Sequence, residues 1–145
     1  MTHIKKHHEQ LKIGGKMNNK QKVDDIISKY SNKYQFISTP DIQSFALSEQ
    51  GIIVINLSSW VTPNSFFVFA VLHEIGHCET YKRKQNKITR EFLATQWAIN
   101  NSKQWNVKIT NKQKQDWQEY IYSFSKAKDK HTKYLLNWKP MNQVT

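Results

Sequence analysis

A run of five residues, His73-Glu74-Ile75-Gly76-His77, limits what this chain can be more than any other feature of its sequence. The apolar segment from Phe66 to Leu72 precedes it and predicts a buried helix that runs to about Tyr81. On a helix, four residues advance the azimuth by about 40° and the rise by about 6 Å, so both imidazoles face one side. The two histidines can therefore bind one metal ion, at about 2.0–2.1 Å per bond for zinc.

Glu74 follows the first histidine, so its carboxylate can reach a water on the metal instead of the metal itself. Zinc lowers the pKa of such a water to about 7, and a nearby carboxylate can take its proton as it attacks a carbonyl. We therefore expect Glu74 to be the general base of a hydrolysis. The alternative is that the two histidines merely pack on a buried face, where imidazoles and a carboxylate without partners would be costly.

A catalytic zinc site has three protein ligands and a water, so two histidines leave it one protein donor short. Glu79 is the nearest carboxylate after the motif, but two residues beyond His77 on a helix it faces away from the ligand side. Glu91 begins the next predicted helix, after a loop long enough to fold back, and is the predicted third ligand. Cys78 points off the ligand face and is predicted to be a small buried hydrophobe. Three other donors stay open as alternatives: His131, Asp116 and Glu119.

Periodicity along the rest of the chain predicts an α+β fold. Helical spacing of apolar residues predicts a helix over 19–31, and β-rich runs at 45–47 and 52–57 flank a turn and predict a hairpin. Residues 32–43 are predicted to be a connection or an irregular strand. Thr62-Pro63 and Thr89 are predicted to begin the helices that carry HEIGH and Glu91. A last helical stripe predicts core packing: Trp117, Tyr120, Ile121 and Phe124.

The net charge of +11 suggests a nucleic-acid ligand until its distribution is considered. Residues 1–22 carry a net charge of +5 and residues 103–145 one of +6, whereas residues 23–102 carry equal numbers of acidic and basic side chains. Almost all the basic side chains are lysines, although arginine is the better reader of phosphates and base edges. We therefore do not expect nucleic acid to be the main ligand.

A chain of 145 residues is expected to hold one domain. One cysteine excludes an internal disulfide framework, and no apolar run reaches membrane-spanning length, so the sequence predicts a cytoplasmic protein that does not enter a membrane. Residues 1–16 are predicted to be a non-native or disordered extension, because codons for Gly14-Gly15 can form a ribosome-binding site before Met17. Residues 17–145 are then the domain, with a basic C-terminal tail.

The strand at 52–57, the HEIGH motif at 73–77 and the segment at 91–98, EFLATQWA, together resemble the ImmA/IrrE family of zinc metallopeptidases. That family follows its HExxH motif with a helix patterned roughly E-x-x-A-[N/D]-x-[F/W]-A. The matching residues are Glu91, Ala94, Trp97 and Ala98. Thr95 departs from the pattern where the family usually has Asn or Asp. The match covers about residues 44–100.

The resemblance implies a minimal zincin-like core, in which a short twisted sheet or hairpin packs on the HExxH helix. It implies Zn²⁺ held by His73, His77 and Glu91, while the departure at Thr95 leaves the support around these ligands unexplained. Members of the family are commonly bacterial or phage-borne and cleave, or otherwise relieve, a repressor with a helix-turn-helix domain. A zinc-dependent endopeptidase that acts on such a regulatory protein is therefore expected, with its substrate extended along the hairpin at 44–57.

A second interpretation retains the zincin-like fold but assigns the protein no catalytic activity. A non-catalytic zincin-like module would bind a regulatory partner or keep zinc for structure, but Glu74 favours the enzyme because a structural site needs no general base. Gly76 either permits close approach of backbone beside the metal or eases helix packing. The candidate donors to a transition-state oxyanion are Tyr81, His131 and Tyr134. The sequence does not choose among these donors, nor does it reveal the substrate, the cleavage site or the oligomeric state.

Overall fold

A computed structural model of the protein describes residues 17–108 and 110–122. Its helices are α1 (Asn19–Tyr30), α2 (Leu57–Val61), α3 (Ser65–Glu79), α4 (Lys87–Ser102) and α5 (Asn111–Tyr122), and its strands are β1 (Gln35–Thr39), β2 (Phe45–Leu47) and β3 (Ile52–Asn56). A single 3-10 turn, Lys103–Trp105, follows α4. These elements form the α+β fold that the sequence predicts. Among the described residues, no helix combines the length and apolar character needed to cross a bilayer.

The sheet has three strands in the order β1-β3-β2. Strands β2 and β3 form the predicted hairpin, with Ala46 opposite Ile53. Gly51 closes its turn with a φ of 67°, which glycine adopts without steric cost. Strand β1 lies on the other side of β3 and runs parallel to it, with Ile37 opposite Val54. The segment predicted as a connection or an irregular strand thus contributes a regular strand, whose polar residues lie at a largely exposed edge.

Helix α3, which carries the HEIGH segment, is the centre of the fold. It contacts β2 and β3 of the sheet, where Ile53 and Ile55 are fully buried, and it also contacts α1 and α4. A helix with neighbours on several sides has to be apolar on several sides. Its buried apolar side chains are Phe67, Val68, Phe69, Val71, Leu72 and Ile75. This burial places HEIGH in the interior and brings α4 alongside it.

Asparagine side chains begin the two helices that carry the candidate site. Asn64 Oδ1 accepts a hydrogen bond of 2.8 Å from the backbone N–H of Phe67 before α3. Asn86 does the same at 2.9 Å for Thr89 before α4. The predicted caps at Thr62 and Thr89 are therefore wrong. The backbone is still extended at both asparagines, whereas Thr62 ends α2, a short helix that the sequence pattern does not predict.

Helices α1 and α5 flank this centre. The predicted helix over 19–31 corresponds to α1, which begins with a capping box between Asn18 and Gln21 and buries Val23 and Ile26. Helix α5 contains most of the predicted last stripe, and Trp117 on it is buried as expected. Phe124, the basic tail and residues 1–16 lie outside the described residues.

Candidate metal centre

Three side chains from two helices meet between α3 and α4. One ligand atom from each of His73, His77 and Glu91 lies within 4.8 Å of the others. His77 Nε2 is 2.7 Å from Glu91 Oε2, and His73 Nε2 is 3.6 Å from the same oxygen. The two imidazoles lie edge to face, with centroids 4.6 Å apart. The structure thus brings together the residues predicted as a ligand set, and this cluster could hold a metal ion.

The spacing of these donor atoms suits a metal ion. Around a tetrahedral zinc ion with bonds of about 2.0–2.1 Å, two donor atoms lie about 3.3 Å apart. The separations of 2.7 Å and 3.6 Å bracket that value. His73 is only 3% exposed, and its Nε2 is buried without a hydrogen-bond partner in the part of the chain that the structure describes. A buried polar atom of this kind costs free energy, and a bond to a metal would remove that cost. Two imidazoles and a carboxylate suit zinc and also other divalent ions.

His77 and Glu91 form a close pair, which is an ion pair when His77 is protonated. Burial by itself lowers the pKa of His77, but the hydrogen bond and charge of Glu91, with the charge of Glu74, outweigh it, so this pKa lies above its ordinary value. Burial likewise raises the pKa of Glu91, yet the hydrogen bond and charge of His77 leave it below its ordinary value. A metal ion would take the place of the proton between these two side chains. Metal binding would therefore be coupled to proton release.

Gly76 sets how closely α3 approaches α4. A Cβ atom at this position would lie 2.6 Å from the backbone oxygen of Ala94 and 3.2 Å from its Cα. Ala94 lies one turn after Glu91 on α4, and Gly76 directly precedes His77 on α3. Because Gly76 has no side chain, the two helices can pack closely. This close packing lets His77 and Glu91 come within hydrogen-bond distance.

Glu74 lies beside the cluster and is not one of its donors. Its Oε2 is 3.4 Å from Nδ1 of His73, while Nε2 of the same ring faces Glu91. Its side chain is 14% exposed, more than that of His73. The charge of Glu74 also acts on His77. Glu74 thus lies next to the cluster and is partly exposed to water.

Neither of the two residues that follow His77 is among the three donors of the described cluster. Glu79 accepts a hydrogen bond of 2.6 Å from Lys33 Nζ and another from the hydroxyl of Tyr34, which joins the end of α3 to the segment before β1. Cys78 is half-buried and packs against the core. Burial, with the charges of Glu74 and Glu79, raises the pKa of Cys78 to about 11, so it is a neutral thiol at pH 7.

Two of the alternative ligand candidates, Asp116 and Glu119, are exposed and do not belong to the described cluster. Asp116 pairs with Lys112 at 2.7 Å on the surface, and Glu119 is exposed. Tyr81 is half-buried, and the guanidinium of Arg90 lies over its ring at 5.8 Å from the centroid. The remaining candidates, His131 and Tyr134, lie outside the described residues.

The structure also shows an aromatic contact to His73 that the sequence does not predict. The indole of Trp117 lies edge to face with the His73 imidazole, with centroids 4.6 Å apart. Its N–H donates a hydrogen bond of 3.0 Å to Oγ1 of buried Thr95. The helical stripe predicts core packing, which the burial of Trp117 confirms. No local pattern shows which residue of another helix such a side chain will meet.

Comparison with known proteins found no family model, no curated protein and no solved structure that matches this chain. The resemblance to the ImmA/IrrE family accordingly stays a prediction from sequence.

Proposed function

We propose that the protein is a zinc-dependent peptidase with His73, His77 and Glu91 as metal ligands and Glu74 as general base. The observation that carries the proposal is the largely buried cluster of two imidazoles and a carboxylate, contributed by two helices. Such groups are not expected in a core that serves only packing, since each costs free energy when it leaves water. A partly exposed carboxylate beside the cluster is the further element that hydrolysis needs and a structural site does not.

Each residue has a distinct role in this proposal. Zinc would supply Lewis acidity, which polarises a peptide carbonyl and makes water acidic enough to react near neutral pH. His73 and His77 bind as neutral imidazoles, and Glu91 contributes negative charge. Glu74 takes the proton of the attacking water and returns it to the leaving amine. The packing of α3 on α4 keeps these side chains in place without a change of fold.

The substrate in this proposal is a protein or peptide. Strand β2 is short, lies at one edge of the described sheet and contacts α3, the helix that carries the two histidines. An edge strand can pair with an extended peptide through its backbone groups. The resemblance to the ImmA/IrrE family favours a bacterial or phage regulatory protein, such as a helix-turn-helix repressor, and a cytoplasmic location belongs to the same proposal.

Metal analysis tests the ligand set. The wild type, loaded with zinc and freed of excess, should retain about one zinc per chain. His73→Ala and Glu91→Ala should lose it. Asp116→Asn is the matched control for Glu91→Ala, because it changes a carboxylate that the structure places on the surface away from the cluster. It should retain zinc like the wild type.

Peptide hydrolysis tests the chemistry. The zinc-loaded protein is incubated with a proteome-derived peptide library, and cleavage sites are identified by mass spectrometry. Glu74→Gln should keep its zinc and lose about 10²–10⁴-fold in rate. Glu79→Gln makes the same change on the same helix, but at a side chain that faces Lys33 and Tyr34, and should stay active.

The outcomes separate the alternatives. A wild type that binds no zinc would overturn the proposal. A zinc-loaded wild type that cleaves nothing and is indistinguishable from Glu74→Gln would favour the non-catalytic module that binds a regulatory partner.

A further inference from the structure

We propose that Trp117, anchored by Thr95, is a positioning residue that holds the His73 imidazole in the orientation required for metal binding. The inference rests on the proposed metal site, but it concerns a side chain outside the ligand set, on a helix that contributes no ligand. It assigns α5 a part in the site.

The orientation of His73 needs support from neighbouring groups. The last torsion of a histidine side chain is broad, so the intrinsic preference of the side chain does not fix the plane of the ring. Oε2 of Glu74 lies 3.4 Å from Nδ1, which is longer than the usual range of about 2.7–3.2 Å for a good hydrogen bond. His77 contacts the ring edge to face, but it is a ligand candidate itself. The hydrogen bond from the ring is therefore too weak to hold His73 alone.

Trp117 supplies a rigid surface against this ring. Its indole meets the imidazole at 4.6 Å between centroids and 76° between planes, within the range that favours edge-to-face pairs. Phe66 and Phe69 of α3 pack on the same indole, with centroids 5.4 Å and 5.1 Å away. The indole is buried, so its position is defined by close packing on the helix that carries His73.

Thr95 connects this surface to the helix that carries Glu91. The indole N–H donates to Thr95 Oγ1 at 3.0 Å, a normal length, and Thr95 is fully buried. Thr95 lies four residues after Glu91, so both side chains project from the same face of α4 toward α3. Trp117 therefore contacts both helices that contribute donors, and it holds His73 in register with Glu91.

Zinc affinity of a graded set of variants tests the inference. Thr95→Val keeps the shape of the side chain and removes the acceptor, and we expect zinc to bind about tenfold more weakly. Thr95→Ser restores the hydroxyl and should recover affinity close to that of the wild type. Trp117→Leu removes the aromatic surface and should cost about a hundredfold. Affinities are measured by competition with a chromogenic chelator, after circular dichroism has shown that each variant is folded.

Trp97→Leu is the matched control. Trp97 is half-buried on α4, and its ring lies edge to face with Tyr30 instead of His73, with centroids 5.9 Å apart. It should lose stability while keeping zinc affinity. An equal loss of affinity in Trp97→Leu would show that general destabilisation is the cause and would overturn the inference. Wild-type affinity in both Thr95→Val and Trp117→Leu would also overturn it.

A measurement without metal separates this inference from the proposed function. In the metal-free wild type, proton NMR should show nuclear Overhauser contacts from the ring of His73 to both the indole of Trp117 and the ring of His77. Thr95→Val should weaken both sets of contacts, and Thr95→Ser should restore them. If the wild type binds no zinc, the proposed function fails, and these contacts alone decide whether Trp117 orients His73. Unchanged contacts to His77 in Thr95→Val would count against the inference.

Discussion

His77 and Glu91 stabilise each other inside the protein, and this interaction shifts their pKa values in opposite directions. The pKa of His77 is raised, so its part of the stabilisation is complete below the ordinary value of 6.5 and is lost as pH rises through the folded value. The pKa of Glu91 is lowered, so its part is present above 4.5 and is lost as pH falls through its folded value. The metal-free pair therefore stabilises the fold most between these two pH values.

Zinc affinity should depend on pH because the metal displaces the proton of His77. Below the raised pKa of His77, affinity should fall about tenfold for each pH unit, and above it affinity should level off. The measurement is a zinc titration against a competing chelator between pH 5.5 and 9. Calorimetry in buffers of different ionisation enthalpy serves as the control, since it counts the protons released. An affinity that stays constant from pH 6 to pH 8 would contradict a protonated His77 in the metal-free protein.

At the scale of the secondary-structure elements, helices α3 and α4 together form the candidate metal centre. Each helix begins at an asparagine cap, which sets where its first turn starts and so where its polar residues project. Their separation is set by the contact of Gly76 with the backbone of Ala94. The spacing of the two helices and the residues at which they begin together place His77 Nε2 2.7 Å from Glu91 Oε2.

Gly76→Ala tests the importance of this spacing. Alanine is the better helix former by about 1 kcal/mol. However, a Cβ only 2.6 Å from a backbone oxygen forces the helices apart, and such overpacking costs about 1–3 kcal/mol. We expect a net loss in the free energy of unfolding, measured by urea denaturation, and a loss of zinc affinity of more than about tenfold.

Cys78→Ala is the control for Gly76→Ala, because it places alanine on the same helix at a half-buried position that already carries a Cβ. It should bind zinc like the wild type. A Gly76→Ala protein with unchanged stability and affinity would show that α3 and α4 can separate without disturbing the site.

At the scale of the whole molecule, the cluster and the core share one helix. The HEIGH segment follows the apolar residues of α3 that pack on β3, α1 and α4, so the geometry of the site depends on the folded core. The ligand atoms come from positions on two helices and meet only when these helices pack together. A metal ion bound there is expected to bind the folded state much more tightly than the unfolded chain.

Zinc should therefore raise the thermal stability of the protein. With free zinc at about a hundred times its Kd, the folded state gains about 2.7 kcal/mol, which corresponds to about 10 °C in Tm for a chain of this size. The measurement is thermal unfolding followed by circular dichroism, with and without zinc, and with a chelator added to reverse the shift. Glu91→Ala should show little shift, and a shift as large as that of the wild type in this variant would place the stabilising zinc elsewhere.

Local patterns in the sequence were sufficient for much of the architecture. The apolar spacing in α1, the alternation around the turn at Gly51 and the four-residue separation of His73 and His77 all act over one or two turns of chain. Neighbouring residues alone specify such features. The α+β class, the hairpin, the buried helix with HEIGH and the exclusion of Glu79 from the ligand side could therefore be predicted before any tertiary contact was known.

The remaining features depend on packing between segments that are distant in sequence, and only the tertiary structure shows them. Strand β1 is a regular strand because β3 pairs with it in parallel, and the true caps at Asn64 and Asn86 follow from where the chain leaves its extended conformation. The meeting of Glu91 with the histidines depends on how closely two helices pack. The contact of Trp117 with His73 joins residues that are remote in sequence. No pattern of nearby residues encodes such contacts, since they arise only when helices with separate periodicities pack face to face.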